Sequence, residues 1–247
     1  MLTTAHFSSV ARRPPLVRHE RGLSLVELMV GITIGLFVVA AASLVVTSQL
    51  TDNRRLLLEL QVQQDLRATA DVITRELRRA GGRQLAANGV WSEANPATAN
   101  PFGTVSVTTL ASGNTLVRFD YERGINLPPL GFGFEKGTST GNVGVIQSYI
   151  GNTPQDLTDK STMDVTTFIV KPLVPEIEEI IPCPNTCPSG NFNSCWPKLN
   201  VRAYEVLIGA RARADANIRR ELRSVVRLRN DEFEFGPGLS AMQPCPV

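Results

Sequence analysis

From residue 28 to residue 46 the chain carries no charged side chain, and Thr33 and Ser43 are the only hydroxyl-bearing residues there. At about 1.5 Å of rise per residue such a run is long enough, as a helix, to cross a hydrocarbon core of roughly 30 Å. Glu27 stands at its start. A carboxylate at the mouth of a hydrocarbon segment costs on the order of 2.5 kcal/mol unless it is paired, which makes Glu27 a functional candidate by default. The competing reading is that Glu27 is only the polar flank of a membrane anchor.

Residues 1–22 carry Arg12, Arg13, Arg18 and Arg21 against the single Glu20. A basic segment ahead of an apolar run stays on the cytoplasmic side, so the N-terminus faces inward and the chain beyond the run is exported. An ordinary secretory signal would be cut after its apolar core, and Ala40-Ala41-Ala42 before Ser43 offers a small-residue site of that kind. Against it, Leu44, Val45 and Val46 continue the apolar pattern without a turn residue.

The stretch Gly22-Leu23-Ser24-Leu25-Val26-Glu27-Leu28-Met29-Val30 resembles the class III signal of type IV prepilins. The resemblance implies that a dedicated prepilin peptidase cuts between Gly22 and Leu23 on the cytoplasmic face and that Leu23 is then N-methylated. It places Glu27 fifth in the mature chain, where the family uses a glutamate to meet the N-terminal amine of a neighbouring subunit or of its own chain. One departure is that mature chains of the family usually begin with phenylalanine, and this one would begin with Leu23. Within the run, Gly31-Ile32-Thr33-Ile34-Gly35 has the G-x-x-x-G spacing that puts two glycines on one helix face, either for close packing against neighbouring pilin helices or merely tolerated in a membrane helix.

Without residues 1–22 the charge balance changes sign. The whole chain has 25 Lys+Arg and 23 Asp+Glu, of which the leader takes four and one, leaving 21 against 22. Net charge therefore gives no support to nucleic-acid binding. Both histidines, His6 and His19, lie in the leader, so no imidazole remains for general-base, triad or metal work. With no Gly-rich phosphate loop or nucleophile motif either, neither catalysis nor a cofactor is expected. The four cysteines, Cys183, Cys187, Cys195 and Cys245, all lie in the exported part, where an even number predicts two disulfides. Three connectivities are open, and the expected one joins Cys187 to Cys195 and Cys183 to Cys245. A zinc site is the alternative, disfavoured by the irregular Cys-x3-Cys and Cys-x7-Cys spacings and the missing histidine.

Beyond the membrane run, Val62, Leu66, Ala70, Ile73, Leu77 and Ala80 recur at alternating intervals of four and three and draw one apolar stripe along a continuing helix. Asp71 and Arg75 pair one turn apart, Arg75, Arg78 and Arg79 suit the C-terminal end of the dipole, and Gly81-Gly82 supplies the stop. Residues 83–103 read as an exposed connection. Residues 104–110 and 115–121 alternate around Ser112-Gly113-Asn114, a hairpin signal. Residues 127–144, rich in glycine, read as a loop whose Phe132 and Phe134 could tuck into the core. Residues 143–150, 165–171, 201–210 and 221–230 are further strand candidates, with Pro172 and Pro175 ending the second. The irregular segment 182–197 holds three of the cysteines and Trp196 and needs covalent bridging to stay ordered. Arg223, Arg227 and Arg229 read as the solvated outer face of a half-buried strand rather than a polyanion stripe.

Arg219-Arg220-Glu221-Leu222-Arg223-Ser224-Val225-Val226-Arg227-Leu228-Arg229-Asn230 and Ile73-Thr74-Arg75-Glu76-Leu77-Arg78-Arg79-Ala80-Gly81 resemble segments of PilW-type minor pilins. The resemblance implies an α+β pilin fold, a long N-terminal helix with a membrane-spanning first half packed on an antiparallel β-sheet. The corresponding division is a prepilin leader at 1–22, a transmembrane half-helix at 23–50, an amphipathic half-helix at 51–82 and a periplasmic β-rich domain at 83–247. It also implies a non-catalytic minor pilin, single-pass in the inner membrane, that helps to prime or cap a type IV pilus and reaches the pilus tip after assembly. Its partners would be the prepilin peptidase, other minor pilins, the major pilin and the inner-membrane assembly platform. A minor pseudopilin of type II secretion shares the same leader and is the neighbouring reading, and a membrane-anchored periplasmic ligand-binding protein is the third.

Overall fold

The computed structural model describes residues 22–85, 100–124, 127–173, 177–240, 243 and 245–246. The basic leader, most of the 83–103 connection and Pro175 lie outside the described residues. The chain divides into two units, Met1–Asp52 and Asn53–Val247. Helix α1, Leu25–Arg79, contributes to both.

In the first unit α1 is apolar all round, with a mean hydropathy of 2.5 over its most apolar 18-residue window and no part of that window buried. The few hydroxyls bond back to the helix itself: Thr33 Oγ1 donates to the Val30 carbonyl at 2.8 Å, Ser43 Oγ to Val39 at 2.8 Å and Thr47 Oγ1 to Ser43 at 2.8 Å. These hydroxyls are thus satisfied within the helix, which is the condition for lying in hydrocarbon.

In the second unit the helix is amphipathic. Val62, Leu66, Ala70, Ile73, Leu77 and Ala80, the residues of the sequence stripe, are buried together with Phe119, Phe132, Phe168 and Ile208 in a single core. Each fully buried large aliphatic contributes about 1.5–3 kcal/mol, so this face rather than helix propensity holds the half-helix to the sheets. The stop works as Gly81-Gly82 suggests: Gly81 takes φ +74 and its N–H donates to the Asp120 carbonyl at 2.8 Å.

Among the described residues the strands form three antiparallel sheets. β1 Ser106–Thr109, β2 Thr115–Phe119, β3 Leu130–Glu135, β4 Val145–Ile150 and β5 Thr153–Asp156 make a meander in chain order. β6 Met163–Pro172, β9 Ala203–Ala212 and β10 Arg219–Arg227 are ordered β10-β9-β6, and β7 Ile177–Ile180, β8 Lys198–Val201 and β11 Glu232–Glu234 are ordered β11-β8-β7. The arrangement is the α+β one expected, a long N-terminal helix with antiparallel sheets.

Two sequence expectations need correction. Residues 127–144 are not simply a loop, because β3 runs through them. Its glycines are spacers between strands: a Cβ on Gly131 would lie 2.6 Å from the Val117 carbonyl oxygen, and one on Gly133 would lie 2.8 Å from Leu116 Cδ1. Phe132 and Phe134, alternating with them, are buried as the pattern suggested. The expected strand at 201–210 is broken at Arg202, whose buried guanidinium donates to the Gly103 carbonyl at 2.5 Å and the Asn230 carbonyl at 3.0 Å and pairs with Glu232 at 3.1 Å. The break hands the chain from the third sheet to the second. β5, β7 and β11 are short edge strands with Pro154 or paired glutamates, residues that keep edges from pairing further and give no strand signal.

The second sheet would leave β6 with a free edge, and the β1–β2 turn closes it. Asn114 Oδ1 accepts from Phe168 N at 2.6 Å, and Thr115 Oγ1 accepts from Val170 N at 2.8 Å. The meander and the second sheet also meet at a buried carboxylate. Asp164, on β6, accepts from Arg211 Nε at 2.9 Å, Arg211 Nη2 at 2.7 Å and Gly144 N at 2.7 Å. Burial pushes its carboxyl upward, but the Gly144 N–H and the Arg211 guanidinium outweigh it and hold the group below the usual carboxylate range. Glu205, on β9, is lowered chiefly by its hydrogen bond from Arg223 at 2.7 Å, with Lys171 at 3.6 Å on the other side. A lowered folded pKa means that the unfolded chain binds more protons, so this stability is fully present above the unfolded value of about 3.9 and is lost as pH falls through the lower folded value. The domain is therefore expected to lose stability in acid from about pH 4 downward. Urea titrations at stepped pH check it, and an Asp164→Asn variant should be less stable at neutral pH with a shallower acid slope.

Cys183 is bonded to Cys245 and Cys187 to Cys195, with Cα–Cα distances of 5.6 and 5.8 Å. The first bridge spans 62 residues, a closure that contributes about 4 kcal/mol in the chain-entropy account. A Cys183→Ser/Cys245→Ser protein should lose about that much in equilibrium denaturation, and an unchanged midpoint would show that the bridge does not form.

Candidate processing and assembly site

The residues singled out in the N-terminal motif lie in one short segment. Gly22, Leu23 and Ser24 precede the helix without regular structure, and the first intrahelical bond runs from Leu28 N to the Ser24 carbonyl at 3.0 Å. Nothing lies within 4 Å of where a Cβ on Gly22 would be, and Leu23 is 73% exposed. The peptide bond between them is accessible, in non-helical backbone that an enzyme cleft could take up. Glu27 sits in the first turn of α1, where a carboxylate is favoured by the partial positive charge of the unpaired N–H groups. Among the described residues its side chain makes no hydrogen bond or ion pair. Gly31 and Gly35, one turn apart, would likewise have nothing within 4 Å of an added Cβ, so another backbone could approach that face.

A second constellation joins the other two motif segments. The helix end at Ile73–Gly81 leaves carbonyls without intrahelical partners, and the residues just past strand β10 supply them: Arg229 N donates to the Arg78 carbonyl at 3.2 Å and Asn230 Nδ2 to the Ala80 carbonyl at 3.3 Å. Asn100 Nδ2 takes the Gly81 carbonyl at 2.6 Å. Tyr121 donates its hydroxyl to Glu76 Oε2 at 3.0 Å, with the Arg79 guanidinium 4.3 Å above its ring. The two segments, far apart in sequence, are a single docking joint between helix and sheet. Arg223 and Arg227 of the second segment are exposed and paired with Glu205 and Asp231, so they form a solvated strand face. Arg202, Asn100 and Tyr121 complete the joint and carry no sequence signal beyond a lone arginine between two apolar runs.

The four cysteines flank β7, β8 and β11 and reach into the C-terminal segment. Among the described residues no group of His, Cys, Asp and Glu is arranged to hold a metal.

Comparison with protein families gives two matches. A family described as prepilin peptidase-dependent protein B matches residues 55–228, spanning the amphipathic half-helix through β10. The prokaryotic N-terminal methylation motif matches residues 17–43, spanning Gly22, Leu23, Glu27, Gly31 and Gly35. Comparison with curated proteins and with solved structures gives no significant match.

Proposed function

The chain belongs to the prepilin peptidase-dependent protein B family, and from that footing we propose that it is a minor pilin that primes or caps a type IV pilus at the inner membrane without catalysing a reaction. It is a type IV pilin-like protein with a class III signal, processed by prepilin peptidase and anchored by one apolar N-terminal helix. The observation that carries the finer reading is the methylation motif at 17–43 joined through α1 to the family domain at 55–228. In this reading residues 1–22 are removed, 23–50 span the membrane, 51–82 continue as the amphipathic half-helix and 83–247 form a periplasmic domain. The partners are other minor pilins, the major pilin and the assembly platform, and the subunit is carried to the pilus tip.

Cleavage after Gly22 creates an amine at Leu23, four residues before Glu27. In a bundle of apolar helices both charges are costly alone, so each is stabilised by meeting its opposite on a neighbouring subunit, which also fixes the register between helices. Breaking such a pair typically costs about 3–5 kcal/mol, or about two to three and a half orders of magnitude in association. Glu27→Leu should accordingly leave cleavage and membrane insertion intact, while co-purification with partner pilins falls by about a hundredfold and surface pili become few. Recovery of Glu27→Leu with its partners at the wild-type level would remove the pairing role for this subunit. Wild-type co-purification with secretion pseudopilins rather than pilins would move the protein to the type II secretion apparatus.

A further inference from the structure

The loop closed by the Cys187–Cys195 bridge is not absorbed by processing, anchoring or helix docking. Residues 188–194 are all exposed, and no side chain from 180 to 197 is charged. At its tip Phe192 is 49% exposed and leans on Trp196, ring centroids 5.4 Å apart and tilted by 37°. Trp196 is held in turn by its indole N–H, which donates to the Asn185 carbonyl at 3.0 Å. The loop is fixed from within as well: Asn191 Oδ1 accepts from Asn193 N at 3.0 Å, Ser194 Oγ donates to the Asn191 carbonyl at 2.7 Å, and the Ser189 and Ser194 hydroxyls are 2.6 Å apart. The Asn193 side-chain amide makes no hydrogen bond among the described residues.

We infer that this stapled loop is a binding site for neutral carbohydrate, with the outer face of the Phe192 ring stacking on the apolar face of a sugar and the Asn193 amide bonding its hydroxyls. Three physical points select that class. An ionic ligand finds no counter-charge along the segment, whereas amides and hydroxyls are what a neutral polyhydroxylated ligand pairs with. The loop has already lost its conformational entropy to a disulfide and internal hydrogen bonds, which lets a small contact bind at all. A stable protein interface buries about 800 Å² per partner, while two aromatic side chains already leaning on each other offer at most a few hundred. A sugar ring is covered by one aromatic face, and weak single contacts become useful when many residues of a polymer are presented.

The test uses the full mature chain in detergent, co-sedimented with insoluble cellulose, β-1,3-glucan and starch at low and at molar salt. The expected result is retention on at least one of them that survives molar salt, is kept by Phe192→Tyr and falls about tenfold in Phe192→Ala and in Asn193→Ala, a loss comparable to that of removing one aromatic stacking platform. All these variants change exposed side chains, and unchanged melting by circular dichroism verifies that they fold. Three outcomes would each overturn the inference. These are no retention on any of the three polymers, retention abolished by salt, and retention undiminished in Phe192→Ala or in Asn193→Ala. Because the assay reads purified protein on a sugar polymer, it does not depend on whether Glu27 directs assembly.

Discussion

With Gly22 replaced by tryptophan, the protein is expected to keep its leader on essentially every chain. Nothing within the protein resists the new side chain, since apart from its two chain neighbours no atom lies within 4 Å of its Cβ position, so the folding of the domain beyond the apolar helix should be untouched. On the proposed cleavage after Gly22, the effect falls on processing, because the added bulk stands beside the bond to be cut. Gly22→Ala should be processed partly, and the graded series separates a steric requirement from an indirect one. On the proposed pairing, an uncut chain, with an amide at Leu23 instead of an amine, would leave Glu27 without its counter-charge, and Gly22→Trp should be as defective in co-purification as Glu27→Leu. Intact mass spectrometry of membrane-extracted protein reads the outcome directly. A wild-type chain beginning at Ser43 would show processing after Ala40-Ala41-Ala42 and leave no anchor.

The parts of the protein that could be read from the chain are those whose physics is one-dimensional. The apolar run and the glutamate at a fixed offset need no knowledge of what lies near them in space. The stripe Val62, Leu66, Ala70, Ile73, Leu77 is a helical period, and those residues are in the core. The parts that resisted depend on what comes close. Gly131 and Gly133 read as loop residues because glycine usually marks a turn, but here β2 approaches β3 so closely that no side chain fits on one face. Arg202 read as one polar position in a strand, and its partners at Gly103, Asn230 and Glu232 lie up to 99 residues away. Asn114 read as a turn residue, and it is one, but it also takes the Phe168 N–H on the edge of β6.

The same distinction decides which glycine substitution should harm the domain most. At Gly144 a Cβ would overlap the carbonyl oxygen of Val165 and lie 2.9 Å from Phe134 Cε2. The obstruction is backbone on one side and a buried ring on the other, so neither can swing away. Val165 N donates to the Gly144 carbonyl at 2.8 Å and Gly144 N to Asp164 Oδ1 at 2.7 Å, and both bonds must lengthen if β4 is pushed off β6. Overpacking of this kind costs about 1–3 kcal/mol or more, and each buried bond broken adds about 1–3 kcal/mol. Gly144→Ala is therefore expected to destabilise the β-rich domain by roughly 5 kcal/mol, much of the 5–15 kcal/mol that typically holds a domain together. Gly113 is the control. It has a positive φ of 80 and nothing within 4 Å, so alanine there strains the backbone alone and should cost about 1–2 kcal/mol. Urea denaturation of the two variants should give midpoints well separated, with Gly144→Ala far lower and its Asp164-dependent acid slope gone. Equal midpoints would mean that β4 can move away from β6 without cost, and that the contact at Gly144 does not hold the two sheets together.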